Sequence, residues 1–408
     1  MTLYEDLKWR GLIKDEAGEN LKEKLNEGNL TFYWGTDPSA DSLHIGHLSS
    51  LLTAKRLENY GHKPIILIGG STGLIGDPRP TTERPMISKK EVLNNYESLK
   101  IQIKKIFGYD TVNNYDWSKD INFIDFLRDY GKYFNVNYML DKDIIRRRLD
   151  TGITYTEFSY MIMQALDFYH LFETKNCVMQ AAGSDQWGNI TAGIDLIRKK
   201  TGKEAYGFTM PLVTESAGNK IGKSTGNAIW LDSNKTTSYE LYQFFLNSED
   251  EKVIDYLKIY TFLSKEEIEE IEKEQLNHPE TRIAQKTLAK QLVTFLHGEK
   301  AALKAIEMSE ALFSGHVKSL TKKEIEDIFK DMPKFETKEE NIVDMLVNSK
   351  IASSKREARE FVSAGSITIN EEKITDLDKQ ITKEIAIEDE ILVVKRGKKK
   401  YFIGKITN

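Results

Sequence analysis

The chain has 408 residues, 40% of them hydrophobic, a formal net charge of −5 and a single cysteine, Cys177. That length accommodates about two to four domains with sizeable cores. The lone thiol excludes an internal disulfide or a cysteine-rich metal site, and the mild acidity argues against a surface that coats nucleic acid all over.

The N-terminal MTLYEDLKWRG lacks an apolar signal core, and no stretch approaches the roughly 18 apolar residues of a membrane span, so a cytoplasmic protein without membrane insertion is expected. The first apolar run, LTFYW, leads into TFYWGTDPSADSLHIGHL over 31–48. If the strand ends near Gly35 and a helix begins around Leu43 to Ile45, His44 and His47 fall in the first helical turn. Backbone N–H groups and the positive end of the macrodipole point outward there. An anion at that place gains donors from backbone and imidazole, and Gly46 leaves room for a flat ring such as adenine. Taken alone, two such histidines are equally an unrelated surface pair, and a metal site would need further ligands.

The runs PIILIG, CVMQAA and FTMPLV, separated by helix-length segments, predict βαβ units and a parallel sheet. Glycine-rich strand ends at LIGGSTGLIGDP and AAGSDQWGN mark the carboxyl edge where open α/β sheets bind ligands. Between them, YTEFSYMIMQALDFYHLFE reads as a helix with Tyr160, Gln164 and Asp167 at i, i+4 and i+7, within an arc of roughly 60°. On an exposed helix that stripe is simply the wet face. Apolar residues around the remaining circumference instead indicate burial, and a buried stripe needs buried partners, which a polar small molecule supplies.

The loop GNKIGKSTGN at 218–227 has one residue too few between its first glycines for a P-loop and does not follow a strand directly. What remains is a glycine-punctuated loop whose Lys220 and Lys223 suit phosphates that gather charge in a transition state. From about Thr237 to Glu324 the pattern is helical only, and the polar, proline-bearing KDMPKFETKEEN reads as a linker. In the module beyond it, Ser354 and Glu357 predict a reciprocal capping box, Gly365 a helix end, and SITIN and EILVVKR two strands. Residues 371–390 are net acidic, whereas 391–408 carry Lys395, Arg396, Lys398, Lys399, Lys400 and Lys405 with no acid. This is either a solvated basic tail or a local RNA footprint.

HIGH at 44–47 and KIGKS at 220–224, the latter as a variant of the Lys-Met-Ser-Lys-Ser loop, are the two signatures of class I aminoacyl-tRNA synthetases. Together with YWGTDPSADSLHIGHL, LIGGSTGLIGDP, VNNYDW, TEFSYMIMQALDF and GSDQWGNITAG, they make the whole chain resemble the bacterial-type tyrosyl-tRNA synthetases. The resemblance implies an α/β protein: a Rossmann-like parallel-sheet catalytic domain at 1–227, an all-helical anticodon-arm domain at 228–329, a linker at 330–340, and a small α+β RNA-binding domain at 341–408 similar to ribosomal small-subunit protein four.

It also implies a cytoplasmic homodimer that activates L-tyrosine with ATP and transfers it to tRNA(Tyr). Mg2+ accompanies the ATP and is not held by the protein, and no other metal or tightly bound cofactor is implied. Tyr33 and Asp167 match the positions that bind the substrate phenol. Asp77, Tyr160 and Gln164 match those that hold its ammonium, Gln186 that near its carboxylate, and Asp37 belongs to the same polar cluster. Gly35 and Gly46 fall on the nucleotide, with Gly183 and Asp185 on its ribose. Ser39, His44, His47, Lys220, Lys223 and Ser224 surround the sugar and phosphates. Lys355, Arg356, Arg359, Lys395, Arg396, Lys398, Lys399 and Lys400 form the tRNA surface.

Two departures stand out. Trp34 replaces a common cysteine, and PRPTTER after Asp77 is one residue short and lacks a lysine. Arg79 then substitutes for that charge, while Arg84 retains the second. A tryptophanyl enzyme shares both signatures, but the Tyr33 and Asp167 pair argues against it. An RNA-binding paralogue without catalysis is argued against by the intact motifs.

Overall fold

The computed structural model describes all residues except 80, 217, 219, 220, 223–227, 315, 331, 398, 399 and 408, and the side chains of 312–314. Strands β1 (Glu16–Ala17), β2 (Thr31–Thr36), β3 (Lys63–Ile68), β4 (Thr111–Asn113), β5 (Cys177–Gly183) and β6 (Tyr206–Met210) form one sheet in the order β1-β6-β5-β2-β3-β4. All its neighbours are parallel except the short β1, which runs antiparallel to β6. The expected parallel sheet is therefore present. β1 and β4 are too short to leave a periodic signal.

β2 pairs with both β3 and β5, so the strand order reverses there. Crossover connections leave β2 and β5 on opposite sides of that point, and their carboxyl ends open a crevice. Asp37, Asp77, Tyr160, Gln164, Asp167 and Gln186 are joined there by hydrogen-bond networks.

The chain forms two compact units, residues 1–236 with 246–296, and residues 237–245 with 297–408. The helical stretch expected at 228–329 is divided between the two units. Its helices Val253–Tyr260 and Ile283–His297 largely join the sheet unit, for identifiable reasons. Arg10 donates to the carbonyls of Lys258 at 2.9 Å and Leu263 at 2.6 Å, and Arg56 donates to those of Lys258 and Thr261. Cations at the carbonyl end of a helix also meet the negative end of its dipole. The Phe295 ring lies 5.7 Å from Phe107, completing the attachment through apolar packing.

In the second unit, β9 (Ile367–Ile369), β10 (Glu372–Ile374), β12 (Ile391–Arg396) and β13 (Lys400–Ile406) combine with β7 (Lys334–Thr337) in the order β10-β9-β12-β13-β7, and β8 (Glu340–Asn341) pairs with β11 (Gln380–Ile381). Four residues of the expected linker, 334–337, are thus not connection but sheet: Phe335 of β7 packs on the core that holds Ile369, Leu392 and Val394. Ile387, Ile391, Val393 and Ile403 bury another face with Met308, Ile325 and Phe329 of the preceding helices. The small module therefore does not end its core at 341.

Residues 400–406 of the basic segment are sheet. β13 is an interior strand, antiparallel to β12 and parallel to β7. Ser354 caps its helix as expected, accepting from the Glu357 N–H at 3.2 Å. The Glu357 carboxylate, however, accepts from Ser353 N–H at 2.6 Å, so the box is not reciprocal.

Candidate active site

Tyr33 lies in the middle of β2, 2% exposed, with its ring 5.3 Å from that of Phe168. Among the described residues its hydroxyl has no hydrogen-bond partner. Desolvation, then the nearby Asp167, raise its pKa well above the usual phenol value, so it stays a neutral hydroxyl. Asp167 sits on the buried helix Tyr155–Lys175 and is itself buried. Its two oxygens accept from Asn114 Nδ2 and Trp117 Nε1, each at 2.9 Å. Burial pushes its pKa up to about 7 against the lowering effect of those two bonds.

The network continues toward β2. Asn114 Nδ2 also donates to Thr72 Oγ1 at 2.9 Å, Thr72 donates to Asp37 Oδ1 at 2.7 Å, and Tyr160 donates to Asp37 Oδ2 at 2.9 Å. Burial raises the Asp37 pKa despite those donors. Gly69 makes this approach possible, since a Cβ there would stand 2.1 Å from Thr72 Oγ1 and 2.3 Å from Asp37 Oδ1. The glycine run after β3 is thus a steric requirement of the polar cluster.

Asp77 anchors a second network. Its carboxylate accepts from Gln186 Nε2 at 2.8 Å and from Asn189 Nδ2 at 3.4 Å, and Asn189 also reaches Gln164 Oε1 at 3.0 Å. Burial, with Asp37 and Asp185 adding repulsion, lifts Asp77 to about 7. Three carboxylates, Asp37, Asp77 and Asp167, therefore share one crevice and hold their protons more tightly than free acids. A bound cation reverses that preference, because it favours the charged form.

His44 is the N-cap of the helix Ile45–Asn59. The expected exposed N–H groups are partly used, because the imidazoles themselves do the capping. His44 Nδ1 accepts from Gly46 N–H at 3.0 Å, and His47 Nδ1 accepts from His44 N–H at 3.2 Å. With both Nδ1 atoms accepting, each neutral ring carries its proton on Nε2, the form that donates to an anion. A Cβ on Gly46 would come 2.9 Å from His44 Cε1, so this glycine serves the histidine ring as well as any ligand. Trp34 is buried, edge-on to His47 with ring centroids 6.5 Å apart.

The segment after the 218–227 loop runs beside the histidines, with Ile45 N–H donating to Ile229 at 2.9 Å and Leu231 N–H to Leu43 at 2.8 Å. Lys220, Lys223 and Ser224 themselves lie outside the described residues. Gly35 is the penultimate residue of β2, and Ser39 is exposed on the loop beyond it. Gly183 ends β5, and a Cβ on it would sit 2.8 Å from Asp185 Oδ1, which holds the exposed Asp185 against the strand end. Arg84 donates through Nε to the Asp77 carbonyl at 2.7 Å, while Arg79 is exposed. Among the described residues, no cluster of three or more His, Cys, Asp or Glu side chains could hold a metal ion.

On the second unit, Lys355 pairs with Asp344 at 2.6 Å and Arg356 with Glu360 at 3.2 Å, with Arg359 exposed on the same short helix. Lys400 is exposed, Lys395 lies 5.4 Å from the Tyr401 ring centre, and Lys398 and Lys399 lie outside the described residues. Arg396 does not belong to this surface set. Its guanidinium donates to the Ile351 carbonyl and lies 5.2 Å from the Phe361 ring centre and 5.7 Å from that of Phe402, a packing role.

Residues 25–314 match the family described as tRNA synthetases class I (W and Y), and residues 324–404 match the tyrosine–tRNA ligase SYY-like C-terminal domain. A tyrosine–tRNA ligase of Listeria monocytogenes serotype 4a is 51% identical, over 99% of both chains. That of Staphylococcus carnosus is 52% identical, again over 99% of both. The crystal structure of a C-terminally truncated Aspergillus nidulans mitochondrial tyrosyl-tRNA synthetase is 32% identical and superposes with a TM-score of 0.68, covering 76% of this chain and 94% of that one.

The chain belongs to the tyrosine–tRNA ligase family.

In this ligase the crevice brings together Tyr33, Asp37, Asp77, Tyr160, Gln164, Asp167 and Gln186. Sequence reasoning missed the residues that hold them, Thr72, Asn114, Trp117 and Asn189, and also Glu157, which bonds to Arg148 and to the Arg84 amide. Asn114 and Trp117 lie in the VNNYDW stretch, whose polar and aromatic residues follow the short β4. Glu157 extends the polar stripe of the Tyr160 helix by one turn, so the same 3.6-residue period points to it.

Proposed function

We propose that this chain charges tRNA(Tyr) in two steps at the β2–β5 crevice, as a cytoplasmic enzyme. The substrate phenol exchanges hydrogen bonds with the Tyr33 hydroxyl and the Asp167 carboxylate. Phenylalanine would leave the buried Tyr33 hydroxyl without a partner and the Asp167 carboxylate with its two protein donors only, at a cost of about 1–3 kcal/mol. The substrate ammonium lies among Asp77, Tyr160 and Gln164, with Asp37 adjacent, and Gln186 approaches its carboxylate. That carboxylate attacks the α-phosphorus of Mg-ATP in line; a P–O bond forms as the bond to pyrophosphate breaks, leaving tyrosyl-adenylate. The nucleophile is already an anion, so no general base is required.

Rate then comes from alignment and from donors aimed at phosphate charge. Those donors are the Nε2–H groups of His44 and His47, with Ser39, Lys220, Lys223, Ser224, Arg79 and Arg84. Gly35, Gly46, Gly183 and Asp185 accommodate the adenosine. In the second step a hydroxyl of the terminal ribose of tRNA attacks the acyl carbon and AMP leaves with the bonding pair. The helices after Thr237 receive the anticodon arm, and Lys355, Arg356, Arg359, Lys395 and Lys400 contribute phosphate contacts.

The single observation that carries the reading is the buried Tyr33 hydroxyl, without a partner among the described residues, beside an Asp167 carboxylate fixed by two donors. ATP–pyrophosphate exchange with each of the twenty amino acids tests it: exchange with tyrosine and little with phenylalanine or tryptophan is expected, and preference for tryptophan would overturn it. A homodimer is supported by the exposed Phe123, Ile124, Leu127, Val136 and Tyr138, an apolar face of the kind that marks an interface. Sedimentation of the purified protein as a monomer would contradict the dimer.

A further inference from the structure

Arg148 and Glu157 form an ion pair at 3.0 Å whose side chains are only 4% and 2% exposed. Among the described residues no other ion pair has both partners so enclosed. Removing two charges from water is expensive, and such a pair persists only with good geometry and additional hydrogen bonds.

The additional bonds are specific. Arg148 Nη1 donates to the Arg79 carbonyl at 3.0 Å, and Nε and Nη2 donate to the Gly152 carbonyl at 3.1 and 3.0 Å. Glu157 Oε1 accepts from the Arg84 backbone N–H at 3.3 Å, and Thr154, which caps the same helix, donates to Glu83 at 3.0 Å. The ion pair thus grips the loop after Asp77 at both ends, by the carbonyl of 79 and the amide of 84. Residues 81–83, 85 and 86 are all exposed, so apolar packing does not fix this loop. Glu157 is also one turn before Tyr160 on the helix that carries Gln164 and Asp167. One rigid element therefore holds the amino-acid pocket and the loop that bears Arg79 and Arg84.

We propose that Glu157 and Arg148 are positioning residues for adenylate formation, holding the 79–84 loop so that its two arginines meet the polyphosphate of ATP in line with the tyrosine carboxylate. This rests on the reading of Arg79 and Arg84 as phosphate-facing groups. A carboxylate accepts from Arg148 and from the Arg84 amide at once. An amide side chain has one acceptor oxygen and must release one of the two. Arg148→Lys keeps the charge but loses the planar fork that reaches three partners.

The test is ATP–pyrophosphate exchange by the full-length Glu157→Gln, Arg148→Lys, Arg84→Ala and Glu157→Gln/Arg84→Ala enzymes, each rate divided by the concentration of sites that form adenylate. Glu157→Gln and Arg148→Lys are expected to lower kcat about ten- to a hundredfold, the scale of a small misplacement of reacting groups. Tyrosine KM should stay within about twofold, since the lost contact acts on the transition state. In the double variant, Glu157→Gln should add little to the loss caused by Arg84→Ala, because both act through one group. Wild-type kcat per active site in both Glu157→Gln and Arg148→Lys, with Arg84→Ala slow, overturns the positioning role while leaving the loop reading intact. An Arg84→Ala enzyme as fast as wild type removes the loop reading, and this proposal with it. If Glu157→Gln does not fold, Arg148→Lys alone decides.

Discussion

The amino-acid pocket and the basic face of the second unit both present polar side chains, but under opposite physical conditions. Asp167 and Asn114 are 4% and 0% exposed and bonded to each other, whereas the Lys355 and Arg356 side chains are 62% and 89% exposed in their ion pairs. A buried polar group without a partner costs about 1–3 kcal/mol, while an exposed ion pair contributes roughly 0–1 kcal/mol. The pocket can therefore select among amino acids. The basic face can supply affinity that salt screens, and little selection.

The largest expected effect lies in the pocket. Asp167→Ala removes the acceptor proposed for the substrate phenol, leaves the Trp117 N–H without its acceptor and takes from Asn114 one of its two, so kcat/KM for tyrosine in the exchange assay should fall by roughly two to three decades. A fall of less than about threefold would mean that the buried network is not the selecting element.

Next comes the basic face. Because strands β12 and β13 share their core with the helices before them, deletion from 341 would expose apolar surface, and charge reversal is the cleaner probe. Lys355→Glu/Arg356→Glu/Arg359→Glu should raise the KM for tRNA by about ten- to a hundredfold near 50 mM salt and flatten its salt dependence. Tyrosine activation should not change. Unaltered tRNA charging over a range of salt would make these residues ordinary solvated surface.

A smaller effect concerns pH. Asp77 and Asp167 sit near 7 in the unliganded fold, and the substrate ammonium favours the ionised form of Asp77. Tyrosine affinity should therefore rise with pH up to about 7, by at most about tenfold per pH unit for each coupled proton, and then level off. Calorimetry near pH 6 in buffers of different ionisation enthalpy should detect proton release. Identical heats across the buffers would refute the linkage.

The smallest effect separates stability from function. The Asp77 pKa is raised from 3.8 to about 7, so the fold binds the proton more tightly than the unfolded chain does. Its contribution is fully present below pH 3.8 and is lost as pH rises through about 7. Asp77→Asn should thus melt a few degrees above wild type at pH 8 and show no such gain at pH 4, on the scale of about 1 kcal/mol. Equal differences at the two pH values would place the effect in packing and not in titration.

What the sequence determined by itself was local and periodic. Alternating apolar runs predicted β2, β3, β5 and β6, the 3.6-residue period placed Tyr160, Gln164 and Asp167 on one buried face, and the HIGH stretch located the first turn of the Ile45–Asn59 helix. Each of these signals comes from residues close in the chain. Only the tertiary structure decided the partners separated by long stretches of chain, such as Asn114 beneath Asp167 and Gln186 against Asp77. Short strands such as β1 and β7 form because a neighbouring strand offers an edge, and a two- to four-residue segment has too few positions to declare a period. The same holds for charge: the sequence grouped Arg396 with the basic surface, and the fold turned its guanidinium to a buried carbonyl and two aromatic rings. Composition records how many charges a segment carries, whereas burial, which depends on the whole chain's packing, decides which of them reach solvent.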